Sequence, residues 1–340
     1  MALSSFARSV IIFALLLALT LVCLGVGGQK VLAQEKPKPI DPPVKIRLGL
    51  LPIADTILIH VAFREGFFAR QGLNVTLTPF QSTLEKDAAV MAGKLDGHFC
   101  EISSAMVQRA QGQMYKVVAT TSHTQPQTRF FGLVTKPNSK VMSLTDLKSQ
   151  TLGVARQTII DFLTDVFLTR AGLPLDYVVR RDIRKIPLRL QTLRAGQLEA
   201  SLFPEPLLSM AEKPGGRVIV DDRDLDMPLA VVALKDELAT PAIVKATRTA
   251  LSEARDLVNA KPNETRSLML ELGLISKELA EDWTPPPYNP DQVPYKLPDK
   301  ALFTAYVDWL ARNEVVKRSG EPGPLRVAPT FEATIYQGLD

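Results

Sequence analysis

Two cysteines and three histidines in 340 residues leave little material for thiol, redox or metal chemistry. Cys23 falls in an apolar N-terminal run, so a chain that begins after that run keeps only Cys100 and has no partner for an internal disulfide. Its fold must therefore rest on its core. His60, His98 and His123 stand at spacings that build no metal site. The first lies within an apolar helical pattern and the second within a strand, where a histidine is a packing residue. No Gly-x-Ser-x-Gly elbow, phosphate loop or zinc-protease helix occurs. These absences argue against an enzyme, and neither a cofactor nor a metal is expected. An excess of one charge is missing too. The formal charge of +4 falls to +2 once Arg8 and Lys30 leave with the leader described below, and charges of both signs are interspersed. Nucleic-acid binding, which needs a clustered basic face, is not expected. The one basic run, Arg180 to Arg189, is broken by Asp182 and two isoleucines and reads as a solvated connection between a strand and a helix.

Long apolar runs are scarce as well. Val10 to Leu24, interrupted by Thr20, is the longest, and it falls short of the ~20 residues that cross a bilayer. Arg8 precedes it and Val31-Leu32-Ala33 follows, the arrangement of a cleavable secretory signal over residues 1–33. An uncleaved anchor, or a lipid attached at Cys23, is the alternative; Val22 is bulkier than the small residue that should precede a lipidated cysteine. The mature protein is expected in the periplasm, behind a Pro/Lys-rich linker over 34–44.

What remains alternates strands and helices. Lys45 to Leu50 reads as a strand, Ile57 to Arg70 as a helix closed by Gly72, Asn74 to Thr78 as a strand, Ser82 to Ala92 as a helix opened by a Ser82–Glu85 capping box, and Leu95 to Cys100 as a strand. About 100 residues on, the order recurs: Thr151 to Ala155, Ile159 to Ala171, Tyr177 to Arg180 and Pro187 to Ala195. The text itself echoes, with Ala92-Gly93-Lys94-Leu95-Asp96-Gly97 beside Ala195-Gly196-Gln197-Leu198-Glu199-Ala200, and with Glu101 and Glu205 shortly after. Two β-α-β-α-β units predict an α/β protein of two similar lobes with largely parallel sheets, and a cleft at the carboxyl ends of the strands. Leu229 to Leu234 reads as a strand returning to the first lobe, followed by helices over 242–259, 263–272 and 300–312. The expected boundaries are 45–133 with 228–340 for lobe one and 134–227 for lobe two. Thr284 to Pro298 is too rich in proline for regular structure and reads as a covering loop or a lid.

Several segments carry a resemblance. Leu48-Gly49-Leu50-Leu51-Pro52-Ile53-Ala54-Asp55, Arg64-Glu65-Gly66-Phe67-Phe68-Ala69-Arg70-Gln71-Gly72-Leu73-Asn74-Val75, Ser143-Leu144-Thr145-Asp146-Leu147-Lys148 and Pro204-Glu205-Pro206, with the two echoed segments, occur in this order. Over about residues 45–260 the chain resembles the solute-binding proteins of nitrate, sulfonate, taurine and thiamine-precursor ABC importers. The resemblance implies the type II periplasmic-binding-protein fold, two α/β lobes that close on a small-molecule ligand, and a membrane ABC permease as partner. A monomer is expected, because the lobes must move freely. Two alternatives stand beside this reading: a binding protein that reports to a membrane sensor, and an enzyme similar to the fungal-type pyrimidine synthase, whose cysteine-rich run is missing here.

The loops after the strands supply candidate ligand contacts. After the first strand come Asp55 and Thr56, each either an N-cap or a contact. Gln81 and Ser82 follow the second, with Ser82 the more natural cap. Glu101 and Ser103 follow the third. His123 is a possible donor after a further strand. In lobe two, Arg156, Gln157 and Thr158 precede a helix whose N–H groups suit a polar or anionic group, and Glu205 stands between two prolines, facing either an arginine or the ligand. Asp55, Glu101 and Glu205 crowded into one pocket would favour a ligand with N–H donors, such as an aminopyrimidine-type thiamine precursor or an amine-bearing sulfonate, over a bare anion.

Overall fold

Strand β1 (Val44–Leu50) pairs in parallel with β2 (Leu73–Pro79) and β3 (Gly97–Cys100). In this computed structural model, which describes residues 39–338, the expected leader, Cys23 and the linker up to residue 38 lie outside the described residues. The first sheet is completed by β10 (Pro228–Lys235), which runs antiparallel between β3 and β4 (Tyr115–His123), giving the order β2-β1-β3-β10-β4. β10 is buried at every position but its last, as an almost continuous apolar run in mid-sheet must be. The second sheet has the order β7-β6-β8-β5-β9, built from β5 (Phe131–Thr135), β6 (Thr151–Val154), β7 (Val179–Asp182), β8 (Ala200–Pro204) and β9 (Val218–Asp221). Here β5 is the antiparallel member, between β8 and β9. Each sheet thus has three parallel strands in the same order and one reversed strand contributed from outside its own β-α-β-α-β unit.

The sequence echo marks matching anchors. Leu48 and Gly49 stand beside Gly97 and His98, as Leu152 and Gly153 stand beside Ala200 and Ser201. A Cβ on Gly49 would lie 2.6 Å from Leu95 Cδ1, and one on Gly153 2.6 Å from Leu198 Cδ1, so the leucine of each echoed segment sits over a glycine in the neighbouring strand. The acid of each segment ties down the reversed strand. Lys235 donates its N–H to the Asp96 carbonyl and its Nζ lies 3.0 Å from Asp96 Oδ1. Lys136 does the same to Glu199, with Nζ 2.7 Å from Oε2.

Helices cover the sheets: α1 (Ile57–Arg64), α2 (Phe67–Arg70), α3 (Thr83–Met91) and α4 (Ile102–Ala110) in the first unit, and α5 (Ile159–Arg170), α6 (Ile186–Arg194) and α7 (Leu207–Glu212) in the second. The single helix expected over 57–70 divides into α1 and α2, because Gly66 adopts φ 70°. Strand β7 begins two residues later than expected. The boundary placed after Leu133 falls inside β5, whose partners are all in the second sheet, so the chain crosses between the sheets before Phe131. The two crossings are bonded together. Thr124 donates its N–H to the Met227 carbonyl and its hydroxyl to the Leu225 carbonyl, and accepts from the Met227 N–H.

The C-terminal segment contains α8 (Pro241–Ala260), α9 (Pro262–Glu271), α10 (Lys300–Arg312) and the single turn α11 (Phe331–Thr334). α8 packs beside α1, but α10 also reaches the second unit: Tyr306 stacks on Phe162 at 4.0 Å, and Trp309 Nε1 donates to Asp165 Oδ2 at 2.9 Å. The proline-rich 284–298 segment is fixed rather than lid-like. Thr120 donates to the Pro294 and Lys296 carbonyls, Arg255 to the Val293 carbonyl, and Gln125 to the Pro287 carbonyl. Its Tyr288 is buried 5.8 Å from Phe130, beside the crossings.

Candidate ligand-binding cleft

A cleft of about 320 Å³ lies between the two sheets, lined by residues of both. That volume is within the ~300–1,000 Å³ typical of small-molecule sites. Much of its surface is apolar, from Leu51, Ile53 and Phe99 on one side and Phe131, Ile160 and Ile186 on the other, while Leu84 and Met91 are exposed at its mouth. The walls differ in charge. From the first unit come Asp55, Asp87 and Glu101; from the second come Arg156, Arg184 and Arg189.

Asp55 follows β1 and is 1% exposed; neither of its carboxylate oxygens has a partner within 3.5 Å, and the neighbouring Ser122 hydroxyl acts on it only as a weaker donor. Burial pushes its pKa up to about 7; Asp222 and Glu205 add to the rise, and the Ser122 hydroxyl opposes it. Asp222, just before the second crossing, is likewise pushed up to about 7 by burial, against the N–H groups of Phe130 and Phe131. Ser122 Oγ, Asp222 Oδ2 and Tyr288 Oη are also buried without partners, so polar capacity around Asp55 is left unfilled.

Glu101 crosses the cleft. Its Oε1 accepts from the Ile159 N–H at the start of α5, at 3.4 Å. Burial raises its pKa, and the Lys86 ammonium opposes that rise. Lys86 is fully buried on α3, 2.6 Å from Asp87 Oδ1 and 3.0 Å from His98 Nδ1. Asp87 also accepts from Ser104 and Gln108, which fastens α3 to α4 along the cleft floor.

The sequence predicts N–H groups at the start of α5 that suit a polar or anionic group. Internal carboxylates already occupy them: the Arg156 N–H donates to Asp182, the Gln157 N–H to Asp161 and the Ile159 N–H to Glu101. Thr158 is the N-cap, accepting from the Ile160 N–H. Gln157 holds φ 65°, a left-handed conformation that costs a non-glycine residue about 1–2 kcal/mol. What this wall leaves for a ligand is side-chain charge. Arg189, read from sequence as part of a solvated connection, is instead 1% exposed. Its Cζ lies 5.2 Å from the centre of the Phe203 ring and its Nη1 donates to the Ile183 carbonyl at 2.8 Å, while Nε has no partner. It makes no ion pair among the described residues, and burial lowers its pKa to about 10, opposed by Asp182.

Of the eleven candidates, Asp55, Glu101, Arg156, Gln157 and Thr158 line the cleft. The other six have different positions. Thr56 is buried with its hydroxyl on the Ile53 carbonyl, and Ser103 is fully buried in the first turn of α4. Ser82 caps α3 by accepting from the Glu85 N–H, and the Gln81 N–H donates to the Glu85 carboxylate. His123 Nδ1 contacts the Thr124 carbonyl. Glu205 is held by Arg129 at 3.0 Å and by the Ser209 N–H, and its carbonyl accepts from the Ala54 N–H, a second bond between the units. Sequence reasoning passed over Asp87, Ser104, Gln108 and Arg189, which stand on helix faces rather than in loops; only the basic run pointed towards one of them. Among the described residues, no three His, Cys, Asp or Glu side chains are placed to hold a metal ion, and no helix is long and apolar enough to cross a membrane.

Two α/β units of this strand order around one cleft define the periplasmic-binding-protein fold. The chain belongs to the NMT1-like family, whose model matches residues 40–273. Solved structures agree in fold. The alkanesulfonate-binding protein SsuA from Xanthomonas axonopodis pv. citri, bound to MOPS, is 15% identical with a TM-score of 0.69, over 88% of this chain and 100% of that one. The periplasmic aliphatic sulphonate-binding protein SsuA from Escherichia coli is 18% identical with a TM-score of 0.67, over 81% of this chain and 94% of that one. The periplasmic nitrate-binding protein NrtA from Synechocystis PCC 6803 is 15% identical with a TM-score of 0.66, over 82% and 83%. No curated protein matches the chain by sequence.

Proposed function

We propose that this protein is the extracytoplasmic solute-binding component of an ABC importer, which captures a small polar organic molecule by closure of its two lobes and passes it to a membrane permease. The observation that carries this reading is the cleft itself: it takes its lining from both units, so a bound molecule touching both favours the closed arrangement. Family membership and the folds of the sulfonate- and nitrate-binding neighbours support it. The role is binding, exported to the periplasm as a monomer, and not catalysis. The acidic wall at Asp55 supports an amine-bearing or heterocyclic ligand such as a thiamine precursor, and the arginines of the opposite wall support a sulfonate. The domains of the proposal are lobe one, residues 45 to about 123 with 228–338, and lobe two between the crossings.

The test is to purify the protein without denaturation, identify any released solute by mass spectrometry, and measure small-angle scattering with and without it. A recovered solute that contracts the particle, and whose uptake by the source cells is lost when the gene is deleted, is the expected result. A protein that binds no solute from a broad panel, and keeps one radius throughout, would overturn the proposal.

A further inference from the structure

Two buried ionisable side chains in this cleft have no counter-ion, and their charged forms are of opposite sign on opposite walls. Asp55, on the first wall, is 1% exposed with both carboxylate oxygens unpartnered. Arg189, on the second wall, is 1% exposed with Nε unpartnered and no ion pair among the described residues. A buried charge without a partner is costly, and natural proteins rarely keep one without a use. Of the other charges of the lining, Asp87 is committed to Lys86, Arg184 to Asp182, and Glu101 to the Ile159 N–H, while Arg156 is exposed to solvent. Between the two lone charges the surface is largely apolar, with Ile53 and Phe99 facing Phe131 and Ile186.

Resting on the solute-binding reading above, we infer that the ligand is a dipolar molecule, with a cationic N–H group held by Asp55, an anionic carboxylate or sulfonate held by Arg189, and an apolar body between them. The arrangement selects against a bare anion, which would leave Asp55 buried and unpaired, and against a simple amine, which would leave Arg189 so. It also couples recognition to closure. Each wall belongs to a different unit, so both charges are neutralised by one molecule only when the walls face it together. The position of the start of α5 fits this division: its N–H groups are filled by internal carboxylates, and the anion is left to the guanidinium, which can bind a carboxylate or sulfonate with two parallel hydrogen bonds.

The experiment uses chain-matched sets in a phosphate buffer free of dipolar buffer molecules. ω-Amino acids and ω-aminoalkylsulfonates of graded length are each titrated calorimetrically beside the alkylamine and the alkyl acid of the same chain. The solute released from the purified protein is identified in parallel. The dipolar member of the best-fitting set is expected to bind about 10–100-fold more tightly than either singly charged control, the range for a charged hydrogen bond. Asp55→Asn should remove its advantage over the acid alone, and Arg189→Met its advantage over the amine alone, each without weakening that control. Arg189→Gln, which keeps polar capacity without charge, checks that any loss is not one of folding, as does thermal unfolding of every variant. Equal binding of an acid-only or amine-only control, or a released solute of a single charge, overturns the inference and leaves solute binding intact. A protein that binds no member of the sets, and releases no solute, overturns both.

Discussion

Replacing Asp55 with Asn should stabilise the ligand-free protein, and increasingly so as the pH rises. The carboxylate is buried with no partner within 3.5 Å, and its folded-state pKa is raised from 3.8 to about 7. A raised carboxylate contributes stability below its unfolded-state value and loses it as pH rises through the folded-state value, because the unfolded chain gives up the proton first. With these values, Asp55 withdraws about 3 kcal/mol from wild type between about pH 5 and about pH 8, and about 1–4 kcal/mol if the folded value moves by a unit either way. Asparagine does not titrate, so the stability difference between variant and wild type should widen by that amount over the interval. Of the groups around Asp55, Asp222 titrates in the same range in both proteins and largely cancels, Glu205 is held by Arg129, and Ser122 and Tyr288 stay neutral. Guanidinium unfolding at a series of pH values, followed by circular dichroism, measures the difference directly. A difference that stays flat with pH would refute the premise that Asp55 is a buried, uncompensated carboxylate.

Four further outcomes are expected. Asp87→Ala strands the fully buried Lys86 ammonium and should cost about 3–5 kcal/mol by denaturant unfolding; a cost under about 1 kcal/mol would mean that Lys86 finds water or another anion. Gly216→Ala places a Cβ 2.4 Å from the Ala211 carbonyl oxygen and 2.8 Å from that of Thr135, both backbone, and should lower stability by about 1–3 kcal/mol, with no change in the circular dichroism of the native state. Trp309→Phe keeps the contact with Phe162 but deletes the donor to Asp165, and should cost about 1–3 kcal/mol. Cys100 is fully buried and burial drives its thiol pKa far up, so a thiol reagent at neutral pH should label it only after unfolding; rapid labelling of the native protein would contradict that burial.

The architecture was legible because packing periodicity and helix ends are local. The span Lys300 to Arg312 and the echo of Leu95 with Leu198 follow from apolar spacing and from glycines that end helices, and the structure places both as expected. What escaped depends on contacts far apart in sequence. No local signal tells that β5 leaves the first unit's chain to pair within the second sheet, because its buried run FGLVT would suit either. Glu205 and Thr56 follow strands just as Asp55 and Glu101 do, and only the fold decides that Arg129 claims the first while the second turns back onto its own turn. Arg189 shows the opposite failure. A basic run reads as solvated until α6 rotates one of its arginines over the Phe203 ring and out of water.

The repeat separates what holds the lobes from what distinguishes them. Glycine against leucine, and lysine against the acid that follows, recur at matching positions in both sheets, so these residues answer to the fold and would be needed whatever the ligand. The loops that follow the equivalent strands β1 and β6 have no such match. One presents the lone carboxylate of Asp55; the other closes its own N–H groups with Asp161 and Asp182 and holds Arg156 in the cleft wall, near the helix that carries Arg189. A site for a symmetric anion gains nothing from walls of opposite charge. Two like frameworks whose cleft walls present a carboxylate at Asp55 and a guanidinium at Arg189 suit the two-ended molecule inferred above.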